Sequence, residues 1–111
     1  MQLLVTILKR ASVMDELMRS LAKVGVRGAT VLDGIGMAES LVHMEDLPLF
    51  GVLRRIMMDD EHEGSKVMLI ALEDRIVGNV MDIVRLTVGD MSEPNTGIMF
   101  TLPIIRFEGI S

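Results

Sequence analysis

The stretch Lys66–Glu73 reads "KVMLIALE". Val67, Leu69 and Ala71 point to one face of an extended strand, and Met68, Ile70 and Leu72 to the other. Both faces are apolar. A solvated antiparallel strand would alternate apolar with polar residues, so this one must be covered on both sides.

Working outward, the same two-sidedness recurs. Residues 3–8, "LLVTIL", oppose Leu3, Val5 and Ile7 to Leu4, Thr6 and Leu8. Residues 98–105, "IMFTLPII", oppose Ile98, Phe100 and Leu102 to Met99 and Thr101. Pro103 has no N–H for a ladder, which puts this strand at a sheet edge or ends it there. Gly28–Gly36, "GATVLDGIG", reads as a further strand interrupted by glycines at its far end. Two amphipathic helices lie between the strands. The first is expected to start at Ser12, with Asp15 completing a capping box. Its buried stripe is Met14, Leu17, Met18 and Leu21, and Gly25 ends it. The second is expected to be capped by Asp74, with Val77, Val80, Met81, Val84 and Val88 as its stripe and Gly89 as its stop.

The order is β-α-β, an insertion, then β-α-β. It predicts one α+β domain over residues 1–111. The fold is a ferredoxin-like βαββαβ sandwich, a four-stranded antiparallel sheet with two helices on one face and an insertion over 37–65. Two helices cover only one face of such a sheet. The other apolar face calls for a partner subunit. Within the insertion, Leu49, Phe50, Leu53, Ile56 and Met57 have helical spacing behind Asp46 and Pro48, which predicts a short helix over 48–58.

Composition excludes several functions. The net charge is −5, no basic run is longer than the pairs Lys9-Arg10 and Arg54-Arg55, and Trp and Tyr are absent. Nucleic acid is therefore not the expected partner. Without Cys there is no disulfide, thiol nucleophile or Cys-based zinc site. No run reaches the ~18 apolar residues of a membrane span. The opening "MQLLVTILKR" lacks the layout of a signal peptide. A cytoplasmic protein with no membrane insertion is expected. His43, Glu45, Asp46, Asp59, Asp60, Glu61, His62 and Glu63 are ligand types in no recognised metal spacing, and they read as a solvated acidic segment. Met44, Met57 and Met58 read as flexible core filler, and Arg54-Arg55 as a solvated helix face. GxSxG is absent and there are two His, so no catalytic residues are assigned and an enzyme is not expected. Gly34-Ile35-Gly36 and the loop Gly89–Gly97 are each a turn or an anion cradle of backbone N–H groups.

Taken together, "LLVTILKRASVMDELMRSLAKVGVRGATVLDGIG", "KVMLIALED" and "TGIMFTLPI" resemble the PII signalling family, the nitrogen-regulatory proteins. The resemblance covers residues 2–36 and 66–105. It rests on the element order, on the GxxG at Gly25–Gly28 leading into Ala29-Thr30-Val31, and on Gly-x-x-Phe-x-Leu-Pro at Gly97–Pro103. It implies a homotrimer whose sheets face one another. It also implies a small effector, an adenine nucleotide often with 2-oxoglutarate, held in clefts between subunits, and regulation of a partner protein through a T-loop. Here residues 37–65 correspond to that loop and Gly89–Gly97 to the glycine-rich B-loop. The effector groups implied are the backbone N–H of Gly34, Gly36, Gly89 and Gly97, the hydroxyls of Thr30 and Thr96, and the cation Arg106.

The departures make this a divergent member. Ile98 stands where the family has the B-loop lysine, and Arg106 is the one arginine of the tail. With no Tyr, the tyrosine nucleotidylation switch is impossible. Met37-Ala38-Glu39 has no counterpart of the T-loop Gln. The alternatives are a trimeric metal-handling protein similar to CutA, which shares the fold, and a ligand-free structural module.

Overall fold

The computed structural model describes residues 1–26, 28–42, 65–93 and 96–109. The expected helix over 48–58 and the acidic segment 59–63 lie outside the described residues. Among the described residues seven elements follow in order: β1 (Gln2–Leu8), α1 (Ala11–Lys23), β2 (Ala29–Gly34), α2 (Met37–Val42), β3 (Ser65–Leu72), α3 (Asp74–Val88) and β4 (Gly97–Pro103). The sheet order is β2-β3-β1-β4, antiparallel throughout. This is the ferredoxin-like arrangement the sequence predicts, with β2 and β4 at the edges. Pro103 closes the edge strand β4, opposite Gln2.

The registers sort the two faces. On the helix side, Leu4, Thr6 and Leu8 of β1 lie beside Ile70, Met68 and Lys66 of β3. α1 packs on β1 and β3, α3 packs on β1, and the two helices pack on each other. The core is Leu4, Leu8, Met68, Ile70 and Leu72 from the sheet, Met14, Leu17 and Leu21 from α1, and Val77, Val80 and Val84 from α3. Each such side chain contributes roughly 1.5–3 kcal/mol on burial. Thr6 is also fully buried here, and its hydroxyl has no hydrogen-bond partner.

Among the described residues no helix covers the opposite face. One row across it is Leu32, Val67, Ile7 and Ile98, the next is Thr30, Leu69, Val5 and Phe100, and the third is Ala71, Leu3 and Leu102. Thr30 is the single polar member. Val5 is shielded by its neighbours, but Phe100 is 41% exposed, Leu102 48% and Ile98 55%.

Helix starts differ from expectation. Arg10, not Ser12, is the N-cap of α1, with extended φ −117° and ψ 120° and no side-chain cap. Only Lys9 and Arg10 separate β1 from α1, so the chain must turn at once and Ser12 is already helical. Likewise Glu73 caps α3 and Asp74 is its first residue. The Asp74 carboxylate faces the Met1 amino group at 3.1 Å and accepts from Gln2 Nε2 at 3.3 Å. Those contacts, the N-terminal ammonium first, hold its pKa below the usual aspartate value. The end of α1 follows the sequence. Gly25 sits at φ 89°, its N–H reaches Ala22 O at 3.1 Å, and Val26 N–H reaches Leu21 O at 3.0 Å. That pair of bonds is a Schellman motif, which satisfies orphan carbonyls at the helix end.

Gly97 is the most tightly enclosed of the described glycines. At φ 150°, a Cβ there would collide with the Ile7 carbonyl oxygen and lie 2.9 Å from Leu8 Cδ2. Gly97→Ala should therefore cost about 2–3 kcal/mol in urea unfolding, because the obstructing atom is backbone. Thr6→Val should instead raise stability by roughly 1 kcal/mol in the same assay, since it removes a desolvated hydroxyl that makes no bond.

Candidate functional site

The strand directions gather the glycine-bearing loops at one pole of the sheet. Asp33, Lys66, Leu8 and Gly97 form a transverse row there. Lys66 Nζ is paired with the Asp33 carboxylate, which fixes the end of β2 against β3. Past that row β2 ends at Gly34, where a Cβ would meet Val67 Cγ2 at 3.2 Å. Gly36 then leads into α2, and its carbonyl accepts from Ser40 N–H at 3.0 Å. α2 has no counterpart among the expected elements. Its six residues carry too little apolar spacing to announce a helix.

On the other edge, Gly89 ends α3 at φ 94° with its N–H on Arg85 O at 2.9 Å. Asp90 Oδ1 accepts both the Ser92 N–H at 2.9 Å and the Ser92 hydroxyl at 2.7 Å. This turn ties the start of the loop to itself. The Ser92 hydroxyl, then its N–H, lower the Asp90 pKa below the usual aspartate value, so the group is ionised at neutral pH. Between α3 and β4 lies an open depression of about 670 Å³, lined by Met81, Arg85, Gly89, Asp90, Met91, Ser92, Gly97, Ile98 and Met99. Arg85 Nη1 donates to Asp82 at 2.8 Å.

The seven residues proposed from sequence do not converge within one chain. Gly89 and Gly97 line the same depression, and half-buried Thr96 precedes Gly97 in the chain. Gly34 and Gly36 share their pole but sit on the far edge, three strand spacings or ~14 Å away. Thr30 lies about 14 Å back along β2, on the open face in the row of Leu69, Val5 and Phe100. Arg106 follows the far end of β4, about 20 Å from Gly97. The residues sequence reasoning missed are Met81, Arg85, Met91 and Met99. Met81 and Arg85 stand four apart on α3, the one available sign that they share a face. Among the described residues no group of three or more His, Cys, Asp or Glu is placed to hold a metal. Both His lie outside the described residues.

No model of a known protein family matches the chain, and no curated protein matches it. A solved structure does. The crystal structure of Arabidopsis thaliana PII bound to citrate superposes with a TM-score of 0.64 at 20% identity, over 93% of this chain and 76% of that one. The fold is that of a PII protein. At this identity the likeness speaks for architecture: it agrees with the ferredoxin-like order predicted from the elements and with the fold that the PII resemblance implies. No helix among the described residues is long and apolar enough to cross a membrane.

The Asp90 turn has a pH signature. Its folded pKa is depressed, so its contribution is present above the ordinary aspartate value and lost as the pH falls through the lower folded value. The Ser92 amide resonance should shift with a midpoint below 3.8, the reference value for Asp. Asp90→Ala should abolish that transition and speed amide exchange at Ser92.

Proposed function

We propose that the protein is a PII-like, non-enzymatic regulator. It works as a homotrimer in the cytoplasm, binds a small effector between subunits, and signals through residues 37–65 to a partner protein. The observation that carries this reading is the apolar sheet face, where Leu3, Ile7, Leu69, Phe100 and Leu102 stand in adjacent rows with no helix of the described residues over them. An apolar surface of that continuity is expected to be buried by other copies of the chain.

The pole geometry supports an effector site shared between copies. Gly34 and Gly36 on one edge and Gly89, Thr96 and Gly97 on the other are separated by the width of the sheet. In this reading the β2 edge of one subunit meets the loop of its neighbour, and Thr30 and Arg106 contribute across the same boundary. The cradle is mostly backbone N–H. Ile98 brings no charge, and the Asp90 carboxylate beside the loop disfavours a highly charged anion. A mononucleotide or a small carboxylate therefore suits it better than a triphosphate with magnesium. The structural neighbour's bound citrate is a carboxylate as well.

Light scattering on the size-exclusion peak should give about three times 12.3 kDa. A stable monomer at micromolar concentration would overturn the assembly. Leu69→Asp should disperse the trimer, because a charge forced into a buried apolar face costs several kcal/mol. Calorimetry with ATP, ADP, AMP, 2-oxoglutarate and citrate should then rank the less charged ligands or carboxylates above ATP. Intact trimers that bind none of these but are stabilised by a divalent cation would favour metal handling instead.

A further inference from the structure

Thr6 is the one fully buried polar side chain among the described residues, and its hydroxyl makes no hydrogen bond there. An O–H shut away from water without an acceptor is costly. The strand registers name its neighbours. Met68 of β3 and Met99 of β4 stand directly opposite Thr6, one on each side. Opposed residues on neighbouring antiparallel strands share a face, with Cβ atoms about 4.5–5.5 Å apart. The hydroxyl is therefore flanked by two thioethers on the helix side of the sheet. A thioether sulfur is a weak acceptor, and neither one satisfies the hydroxyl.

The two sulfurs differ in access. Met68 is 0% exposed, whereas Met99 is half-buried and borders the open depression beside β4. A small oxidant can reach the second and not the first. A hydroperoxide turns a thioether into a sulfoxide. The sulfur lone pair attacks one peroxide oxygen, an S–O bond forms and the O–O bond breaks. The other oxygen leaves as hydroxide or alkoxide and takes up the proton of the transferred hydroxyl. Sulfur loses two electrons and the peroxide gains them. The new oxygen is a strong acceptor. Against an apolar core it would usually be left unsatisfied, but beside Thr6 it meets a donor that has no partner.

We infer that Met99 is an oxidation site for hydroperoxides, and that the Thr6 hydroxyl receives the modified side chain by donating to its sulfoxide oxygen. The reduced chain carries an unsatisfied hydroxyl and the oxidised chain satisfies it. The new bond ties β4 to β1 two residues beyond Gly97, where the loop from Gly89 ends. With no Cys, the chain cannot reverse the step itself. Reversal takes an external dithiol reductant, which closes to a disulfide, returns two electrons and releases the oxygen as water. The site goes beyond the regulator proposed above and needs neither its trimer nor its effector.

Titrating the full chain with hydrogen peroxide, with peptide mass spectrometry at each methionine, tests access. Met37, 78% exposed, should oxidise first and Met99 next, while Met14 and Met68 stay reduced as long as the chain is folded. Thermal melts before and after oxidation test the role of Thr6. They compare the wild type, Thr6→Val, Met99→Leu and the double variant. Setting each chain against its Met99→Leu counterpart isolates oxidation at Met99, because the other methionines are common to both. That oxidation should lower the melting temperature of Thr6→Val by several degrees more than that of the wild type. The Thr6 γ-methyl resonance should move on oxidation of the wild type and stay in place in Met99→Leu. The inference is overturned if Met99 remains reduced once Met37 is fully oxidised. Equal losses of melting temperature with and without the Thr6 hydroxyl overturn it too, as does a Thr6 resonance that oxidation leaves unmoved. None of these results bears on the oligomer or on the effector ranking.

Discussion

Two long helices among the described residues face one side of a sheet whose two sides are both apolar, and that inequality governs the molecule. The helix stripes Met14–Leu17–Leu21 and Val77–Val80–Val84 close over one face and bury Leu4, Leu8, Met68 and Ile70. Leu3, Ile7, Leu69 and Phe100 are left on the other side. Alternating side chains make this unavoidable: the strands cannot send their second set of apolar residues to a core that lies on the other side of the sheet. A single chain that kept that face wet would forgo the burial on which a domain of this size depends. The proposed trimer answers that constraint first and the needs of a ligand second.

The same sheet acts as a spacer for the candidate site. Its order places β2 and β4 at opposite edges, so the glycines after β2 and the loop before β4 share a pole but not a neighbourhood. Groups that far apart on a rigid sheet act on one small ligand only when another copy supplies one half. Assembly and effector binding are therefore linked in the proposed reading. Whatever disperses the open face also separates the halves of the cleft.

The strands and the two long helices were legible because their evidence is periodic. A two-residue period with both sets apolar, or a stripe at three and four, survives small errors of boundary. Caps were not legible, because a cap depends on one residue's backbone. Ser12-x-x-Asp15 has the composition of a capping box, yet the two-residue turn after Leu8 draws Ser12 into the helix. Asp74 has the right chemistry for a helix start but lies one position inside it, engaged with Met1 and Gln2. The site was half legible. Glycine marks where a backbone can bend or approach closely, and Gly97 against Ile7 bears that out. Glycine does not say which residues face it across space. The methionine-lined depression could not be read from the chain at all, because Met81, Met91 and Met99 each fit an ordinary local role.

The loop from Gly89 to Gly97 is held at both ends by different physics. At its entry, Asp90 binds Ser92 through two hydrogen bonds to one carboxylate oxygen, a restraint that depends on ionisation. At its exit, Gly97 lies so close to the Ile7 backbone that no side chain fits, a restraint that depends on shape alone. The entry can be released by a proton or a substitution, whereas the exit stays fixed as long as the sheet does. The described residues of the loop also border the depression that Met81, Met91 and Met99 line. Anchoring both ends lowers the conformational entropy the loop has left to lose.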